Sequence, residues 1–256
     1  MMVLLPRIAA VSNLDTVPFI YGIGHEGNFR AELLLTSPAL CIENFVEGRA
    51  DIALLPITAI PALKSAELLT DYCISTSGSY TSVIVSQSPI AKIRRIFCDP
   101  NDFSSLQLAG YLATHRWKIT PEWVELLDVA QMDVATEGDA FLLCGETALT
   151  YSGRFTLRLD LAAEWHAQTT LPFVFSAWVA RKGTSYEVTD ALEEALTFGI
   201  ERTYEAVVAA HLQIKPDDAY EHLSRDIDYL FDHQKHKAMQ LLWDSGMKIT
   251  LRANPG

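Results

Sequence analysis

Short apolar runs separated by short polar turns make up most of the first 180 residues of the chain. The runs predict strands at residues 3–11, 31–35, 51–56, 83–85, 93–98, 139–144 and 171–180, with a further strand or sheet edge at 121–127. Most of them lack the in-and-out alternation of a half-exposed strand, which is typical of parallel strands covered by helices on both faces. The pattern therefore predicts an α/β fold.

Helices are predicted between these strands and throughout the C-terminal part of the chain. Ser37 as a cap and Pro38 at the first helical position start a helix that ends at Gly48. Helical periodicity is also found at residues 106–115, 160–168, 191–200, 219–229 and 233–243. Strand–helix–strand units side by side at the start of the chain predict a parallel sheet.

A glycine-rich segment follows the first strand and its loop. Residues 22–27 read G-I-G-H-E-G, which resembles the dinucleotide-binding fingerprint. The fingerprint needs a strand directly before it and a helix opening on it, and here Pro18, Phe19 and Tyr21 intervene. We interpret the segment as a flexible turn.

Polar turns follow several of the predicted strands. Ligands of open α/β sheets bind beyond the carboxyl ends of the strands, so these turns are candidate sites. The candidate residues in them are Ser12, Asn13, Asp15, Thr16, Thr58, Ser79, Tyr80, Thr81, Ser82, Asn101, Phe103, Ser104, Ser105, Gly145, Glu146 and Thr147. The alternative is that these are ordinary turns whose polar side chains satisfy nearby backbone groups.

Two of the turns have the composition of an anion-binding site. Residues 75–82 form a hydroxyl-rich segment that could surround carboxylate or phosphate oxygens with hydroxyl and backbone N–H groups. Ser104 and Ser105 stand at the start of a predicted helix, where unpaired amide donors meet the positive end of the helix dipole. Neither segment needs Lys or Arg for this purpose.

Composition narrows the class of protein. Of the 256 residues, 49% are hydrophobic and 20% are charged, which is typical of a globular protein of one large domain or two small lobes. A net charge of −12 argues against nucleic-acid or anionic-membrane partners. An anionic ligand would therefore have to be bound by local groups.

The cysteines and histidines do not indicate a metal site. Cys41, Cys73, Cys98 and Cys144 are widely spaced without a C-x-x-C pair, so we expect buried reduced thiols. His233 and His236 are three residues apart on a charged helix, which indicates a solvated face. The start of the chain does not read as a signal peptide and no run approaches about 18 apolar residues, so we expect a cytoplasmic protein.

Five segments, in order over nearly the whole chain, resemble the chorismate dehydratase family of the futalosine route to menaquinone. They are V-S-N-L-D-T-V-P-F at 11–19, G-R-A-D-I-A-L-L-P at 48–56, G-S-Y-T-S-V-I-V at 78–85, L-L-C-G-E-T-A-L at 142–149 and L-P-F-V-F-S-A-W-V-A-R at 171–181.

The resemblance implies a two-lobed, type 2 periplasmic-binding-protein-like α/β fold, with mixed sheets, flanking helices and a ligand cleft between the lobes. Residues 1–86 and 180–256 would form lobe I and residues 87–179 lobe II. It also implies dehydration of chorismate to 3-[(1-carboxyvinyl)oxy]benzoate, with no metal or organic cofactor.

The loops of this chain differ from the family pattern at identifiable positions. The family usually has Tyr where this chain has Asn13, Asn where it has Asp15, and Arg where it has Phe103, whereas Ser82 is kept. On the resemblance, Asp15, Thr16 and Ser82 would be catalytic, with Asp15 a candidate base. Ser82, Ser104, Ser105 and Thr147 would hold the acid groups of a small carboxylate substrate.

Two other functions fit the same sequence. The chain could be a relative that acts on another small carboxylic or aromatic ligand, including the dihydroxynaphthoate synthase chemistry later in the same pathway. It could also be a non-catalytic cytoplasmic ligand-binding protein.

Overall fold

The structure, a computed structural model, describes residues 5–78 and 82–253. The strands are β1 (Arg7–Val11), β2 (Glu32–Thr36), β3 (Ile52–Pro56), β4 (Ala66–Thr76), β5 (Ser82–Ser86), β6 (Arg95–Cys98), β7 (Glu122–Glu125), β8 (Asp139–Cys144), β9 (Leu157–Asp160), β10 (Phe173–Arg181) and β11 (Asp228–Leu230). The helices are α1 (Val17–His25), α2 (Pro38–Val46), α3 (Phe103–Leu112), α4 (Gly145–Tyr151), α5 (Leu161–Thr169), α6 (Tyr186–Glu201), α7 (Thr203–Ala209), α8 (Pro216–Arg225) and α9 (His233–Asp244).

The chain folds into two compact units. The first unit contains residues 5–75 and 174–233, and the second contains residues 76–173 and 234–253 of the described chain. None of the described helices is long and apolar enough to cross a membrane.

A six-stranded mixed sheet forms the centre of the first unit, in the order β11-β4-β10-β3-β1-β2. β1 is parallel to both β2 and β3, which confirms the predicted parallel arrangement, whereas β10 runs antiparallel to β3. Apolar side chains of the sheet and of α1 and α6 fill the core. Phe19 packs edge-on against Trp178, with ring centroids 5.7 Å apart.

A five-stranded mixed sheet forms the centre of the second unit, in the order β7-β6-β8-β5-β9. β6 is parallel to β7 and β8, and β5 is antiparallel to β8 and β9. Val83, Val85, Phe141 and Leu143 are buried in its core. The residues between them in β5 and β8, Ile84 and Leu142, are equally buried. Both faces of these strands are therefore covered, which explains the continuous apolar runs in the sequence.

The C-terminal segment completes the edge of this second sheet. The backbone N–H of Arg252 donates to the carbonyl of Trp123, and its carbonyl accepts from the N–H of Glu125 at 3.1 Å. The segment also packs on α3, where Ile249 contacts Gly110 so closely that a Cβ there would lie 2.5 Å from the Ile249 Cδ1 atom.

The predicted lobe boundaries differ from the observed division. Residues 82–86 were expected in lobe I, but β5 forms hydrogen-bonded ladders with β8 and β9 of the second unit. Residues 234–256 were also expected there, whereas the described part of this segment packs with the second unit. Residues 174–179 belong to the first unit because β10 pairs with β3.

The turn expected at the glycine-rich segment, residues 22–27, is wrong over residues 22–25, because these belong to α1. A Cβ on Gly22 would lie 1.9 Å from the carbonyl oxygen of Ala195, and a Cβ on Gly199 would lie 1.9 Å from that of Pro18. These two glycines therefore let the backbones of α1 and α6 touch. At Gly22 the glycine serves helix packing.

Other helices and strands depart from the sequence pattern in smaller ways. α2 begins and ends as predicted, with the Ser37 side chain accepting from the Leu40 N–H and Gly48 in the left-handed region at a φ of +76°. The helix expected at 219–229 ends at Arg225, and β11 follows it. β4 and β9 were not predicted as strands.

Candidate functional site

One edge of the sheet in the second unit collects several of the predicted site residues. Ser82 begins β5 and is paired with Cys144, which ends β8, because the two strands are antiparallel. β6 is parallel to β8 and ends at the same edge, at Cys98. After a short turn the chain enters α3, which brings Ser104 and Ser105 to this edge within the first helical turn.

A chain of small polar side chains runs along this edge. The hydroxyl oxygens of Ser82 and Ser105 are 2.9 Å apart, and the Ser82 hydroxyl donates to the Cys144 sulfur over 3.7 Å. The Cys144 thiol is hydrogen-bonded in turn to the carboxyl group of Asp102. Both serines are buried, so the chain connects two interior hydroxyls to one carboxyl group.

The carboxyl group of Asp102, at the end of this series of hydrogen bonds, has unusual acid–base properties. Burial raises the pKa of Asp102 to about 6, the hydrogen bond from Cys144 opposes the rise, and the negative charge of Asp99 adds to it. Burial, together with the Asp102 charge, also raises the pKa of Cys144 well above its usual range. Cys144 is therefore a thiol near neutral pH, suited to donate a hydrogen bond and unsuited to act as a nucleophile.

Asp102 borders a cavity of about 260 Å³ in the second unit. The cavity is lined by Asp99, Asp102, Leu126, Leu127, Asp128, Val129, Leu142, Leu143, Cys144 and Thr147. Two of its carboxylates are engaged in turns: Asp99 accepts from the backbone and side-chain amides of Asn101, and Asp128 accepts from the backbone of Ala130. Asp102 is the N-cap residue of α3 but makes no side-chain capping bond.

The other predicted residues of this unit have varied positions. Asn101 is exposed and is held by Asp99, so its amide serves a turn. Phe103 and Thr147 are half-buried, and Gly145 turns the chain after β8 in the left-handed region, with a φ of +53°. Glu146 lies in α4, and its side chain is outside the described set. Ser79, Tyr80 and Thr81 lie outside the described residues.

In the first unit the loop after β1 holds a second group of predicted residues. Asn13 and Thr16 form a reciprocal capping pair around a 3₁₀ turn, Leu14–Thr16. The Thr16 hydroxyl donates to the carbonyl of Val11 at 2.6 Å and accepts from the Asn13 N–H at 3.1 Å. Thr16 is therefore occupied in holding the loop, and its buried hydroxyl is a structural feature.

The remaining candidates of this unit are less engaged. Ser12 is exposed in the same loop, and Thr58 is half-buried in the turn after β3. β1 and β3 are parallel neighbours, so the two turns leave the sheet at the same edge.

Asp15 is part of a cluster that sequence reasoning missed. Its Oδ1 lies 3.2 Å from Nε2 of His222, whose Nδ1 lies 3.1 Å from Oδ2 of Asp226. The Tyr229 hydroxyl donates to the backbone carbonyl of Asp15 at 2.8 Å. One sequence signal could have indicated part of this cluster: His222 and Asp226 are four residues apart, a spacing that puts two helical side chains on the same face.

A comparison of the sequence with known families establishes the family of this protein. Residues 6–247 match the model of a family described as menaquinone biosynthesis. The chain belongs to the menaquinone biosynthesis family. The match spans both units, so the family assignment covers the unit with the hydroxyl–thiol–carboxyl chain as well as the loop after β1.

Solved structures similar to this family member share its fold. Protein AF1704 from Archaeoglobus fulgidus is 21% identical, with a TM-score of 0.75 over 93% of this chain and 95% of that chain. The Candida albicans CA3427 gene product, described as having the generic periplasmic binding protein fold, is 12% identical, with a TM-score of 0.65 over 94% and 91%.

The alkanesulfonate-binding protein SsuA from Xanthomonas axonopodis pv. citri, bound to MOPS, is 13% identical, with a TM-score of 0.61 over 94% of this chain and 91% of that chain. At these identities the similarity establishes the fold alone. The predicted periplasmic-binding-protein-like α/β fold is confirmed.

Proposed function

We propose that this member of the menaquinone biosynthesis family is a carbon–oxygen lyase that removes water from chorismate to give 3-[(1-carboxyvinyl)oxy]benzoate. The observation that carries the proposal is the chain from Ser105 through Ser82 and Cys144 to Asp102, whose carboxyl group has a pKa of about 6. Family membership supports the pathway, and this chain of groups supports a proton-transfer reaction.

The reaction requires little beyond proton transfer and orientation. The ring carbon that bears the enolpyruvyl ether loses its proton, the bond from the neighbouring carbon to its hydroxyl breaks, and the electron pair of the C–H bond forms the new double bond. The proton and the hydroxide leave as water, and the ring becomes aromatic. Such a reaction needs a positioned base, a donor to the departing oxygen and groups that orient two carboxylates.

Asp102 has the acid–base properties that this role demands. A carboxyl group with a pKa of about 6 has both its forms available near neutral pH, so it can accept the ring proton and then return it to the departing oxygen. Asp102 thus becomes our first candidate for the base. Asp15 remains the alternative base, although one of its oxygens is within hydrogen-bond distance of His222.

The substrate's carboxylates are assigned to hydroxyl and amide donors. Ser82 is buried at the start of β5, Ser104 and Ser105 are buried in the first turn of α3 at the positive end of its helix dipole, and residues 99–105 contain no Lys or Arg. We therefore expect the acid group to contact these hydroxyls and amides. A ligand complex with the acid group on Lys or Arg side chains elsewhere would contradict this assignment.

The direct test is incubation of the purified protein with chorismate. Loss of chorismate and formation of the aromatic ether, followed by chromatography and proton NMR, should occur in a one-to-one ratio. Asp102→Asn should lower turnover at least about a hundredfold, the usual size of a lost general acid–base contribution. Asp133→Asn is the matched control, because Asp133 is an exposed residue paired with Arg154 at the surface.

The acidic lining of the cavity favours a second candidate function, which is action on a less charged ligand. Asp99, Asp102 and Asp128 all border it, which disfavours a dianion and favours a small aromatic ligand with less negative charge. If chorismate is not consumed and a thermal-shift panel of small aromatic compounds finds a neutral or singly charged ligand, this second function replaces the first.

A further inference from the structure

His222 has a geometry that only a charged imidazole satisfies. Both ring nitrogens face carboxylate oxygens, Nε2 at 3.2 Å from Asp15 and Nδ1 at 3.1 Å from Asp226. A neutral imidazole carries one N–H, so it could donate to one of the two and would turn a lone pair towards the other. The imidazolium ion has two N–H donors and matches both contacts.

We propose that His222 is a positioning residue whose imidazolium ion links Asp15 to Asp226, fixes the loop at residues 12–16 and balances the negative charge of Asp15. The effect of His222 on catalysis rests on the proposed lyase function. The Asp15–His222–Asp226 contact, called the clamp from here on, does not. The contact between Asp15 and His222 could not be read from the sequence pattern, because the two residues are 207 positions apart.

The clamp belongs to a wider set of contacts that hold the same loop. The Tyr229 hydroxyl donates to the Asp15 carbonyl, and the Thr16 hydroxyl donates to the Val11 carbonyl. These two bonds hold the backbone, whereas His222 holds the Asp15 side chain. Loss of the clamp should therefore free the carboxylate and leave the loop backbone in place.

Two further charged groups of α8 lie beyond the ring and its two carboxylates. Arg225 lies 3.5 Å from the second oxygen of Asp226 and also pairs with Glu221 at 2.7 Å, so Arg225 is shared between two carboxylates, whereas His222 is shared between Asp15 and Asp226. Burial raises the pKa of Tyr229 well above its usual range, and the Asp15 charge adds to this, so that phenol stays neutral.

The elements packed on α8 bring further ionisable groups that are exposed. On α7 these are Tyr204 and Glu205, and on β11 Asp228 is exposed. Solvent screens charges at such positions, so His222 is governed mainly by the two carboxylates that touch it. Deprotonation of the ring would leave Asp15 uncompensated.

The direction of the pH effect follows from these contacts. Burial acts to lower the pKa of His222, but the hydrogen bonds and charges of Asp15 and Asp226 outweigh it, and the pKa is raised above 6.5. The stabilisation from the clamp is therefore complete below pH 6.5 and is lost as the pH rises through the raised value.

The first experiment observes the ring itself. In ¹⁵N-labelled wild-type protein, both ring nitrogens of His222 should have imidazolium chemical shifts at pH 6.5, and the ring should lose its proton only as the pH rises above 6.5. The His222→Gln spectrum assigns the signal. If His222 has a single N–H at pH 6.5, with a neutral-ring shift at the other nitrogen, the proposal is overturned whether or not the protein acts on chorismate.

The second experiment measures the effect on Asp15. In wild-type protein the KM for chorismate should rise as the pH passes through the His222 titration. In His222→Gln the KM should already be raised about tenfold and should no longer change over that range, since an uncompensated carboxylate in a candidate substrate loop opposes an anionic substrate by on the order of a factor of ten. Adding Asp15→Asn to His222→Gln should restore most of the lost affinity.

This rescue distinguishes positioning and charge from a merely structural role, because removing a second side chain would not repair a packing defect. An unchanged pH profile in His222→Gln, or no rescue in the double variant, would contradict the proposal. If His222→Gln does not fold, Asp226→Asn removes one arm of the clamp, and His222 should then titrate at a lower pH than in wild-type protein. An unmoved titration in Asp226→Asn would also contradict it.

Discussion

Replacing Asp102 by Asn should make the protein more stable above pH 6 while it removes lyase activity. The substitution keeps the size of the side chain, and the amide oxygen can still accept the hydrogen bond from the Cys144 thiol. What it removes is the cost of holding an ionised carboxylate in a half-buried position beside Asp99.

The size of the gain follows from the displaced pKa. Its rise from 3.8 to about 6 means that the ionised form is disfavoured in the folded protein, and each pKa unit corresponds to about 1.4 kcal/mol. Partial exposure of Asp102 reduces this, so the expected gain in the free energy of unfolding is about 1–3 kcal/mol at pH 8.

The sign of the pH dependence is equally specific. Because the folded-state pKa is raised, wild-type protein loses stability relative to the variant as the pH rises from 3.8 through about 6. The difference between the two proteins should therefore be smallest near pH 4, grow as the pH rises through about 6 and be constant above pH 7. Asp133→Asn, at an exposed position, is measured alongside as the control.

Urea unfolding followed by circular dichroism at several pH values between 4 and 8 measures this difference. The m-value is compared alongside the midpoint, because two units need not unfold in one step. Equal stability of Asp102→Asn and wild-type protein at pH 8 would refute the account of Asp102 as a destabilised carboxylate. A more stable variant with full activity would keep that account and exclude Asp102 as the proton-transfer group.

Three further changes test other features of the fold and the site. Gly22→Ala should destabilise the protein by about 3 kcal/mol or more in urea unfolding, because the new Cβ meets a backbone carbonyl, whereas Gly24→Ala, which meets open space, should not. Thr16→Val should lower the free energy of unfolding by about 1–3 kcal/mol, since the Asn13 N–H and the Val11 carbonyl lose their partner. Ser82→Ala should raise the KM for chorismate about tenfold, as expected for one lost hydrogen bond to a charged group.

Much of the fold was predictable because the signals are local. The apolar runs gave the positions of eight strands, and Ser37, Pro38 and Gly48 marked the ends of α2 correctly. The expectation of buried cysteines is confirmed for Cys41, Cys73 and Cys98, whereas Cys144 is half-buried.

The errors arise where a segment's structure depends on a distant partner. The glycines of α1 resemble a turn in sequence, and their reason is the backbone of α6 about 175 positions later, which no local pattern reveals. β11 forms by pairing with β4, although its sequence continues the helical periodicity of α8. Tertiary contacts decided both segments.

The candidate site was predictable as a set of loops and not as a set of contacts. Ser82 and Ser105 were expected to serve together, and they are in hydrogen-bond distance of each other. Cys144 and Asp102 complete the chain, yet each looked ordinary in the sequence. His222 was not singled out, because its partner Asp15 comes from the other end of the first unit's sequence.

The C-terminal strand-like segment has a consequence for the behaviour of the whole molecule. β7 stands at the outside of its five-stranded sheet, where open N–H and carbonyl groups can recruit a strand from another molecule. The backbone of Arg252 occupies the groups of Trp123 and Glu125 there, so the chain's own end shields β7 from self-association. A protein shortened by its last ten residues would keep every side chain of the proposed site and would expose this edge to aggregation.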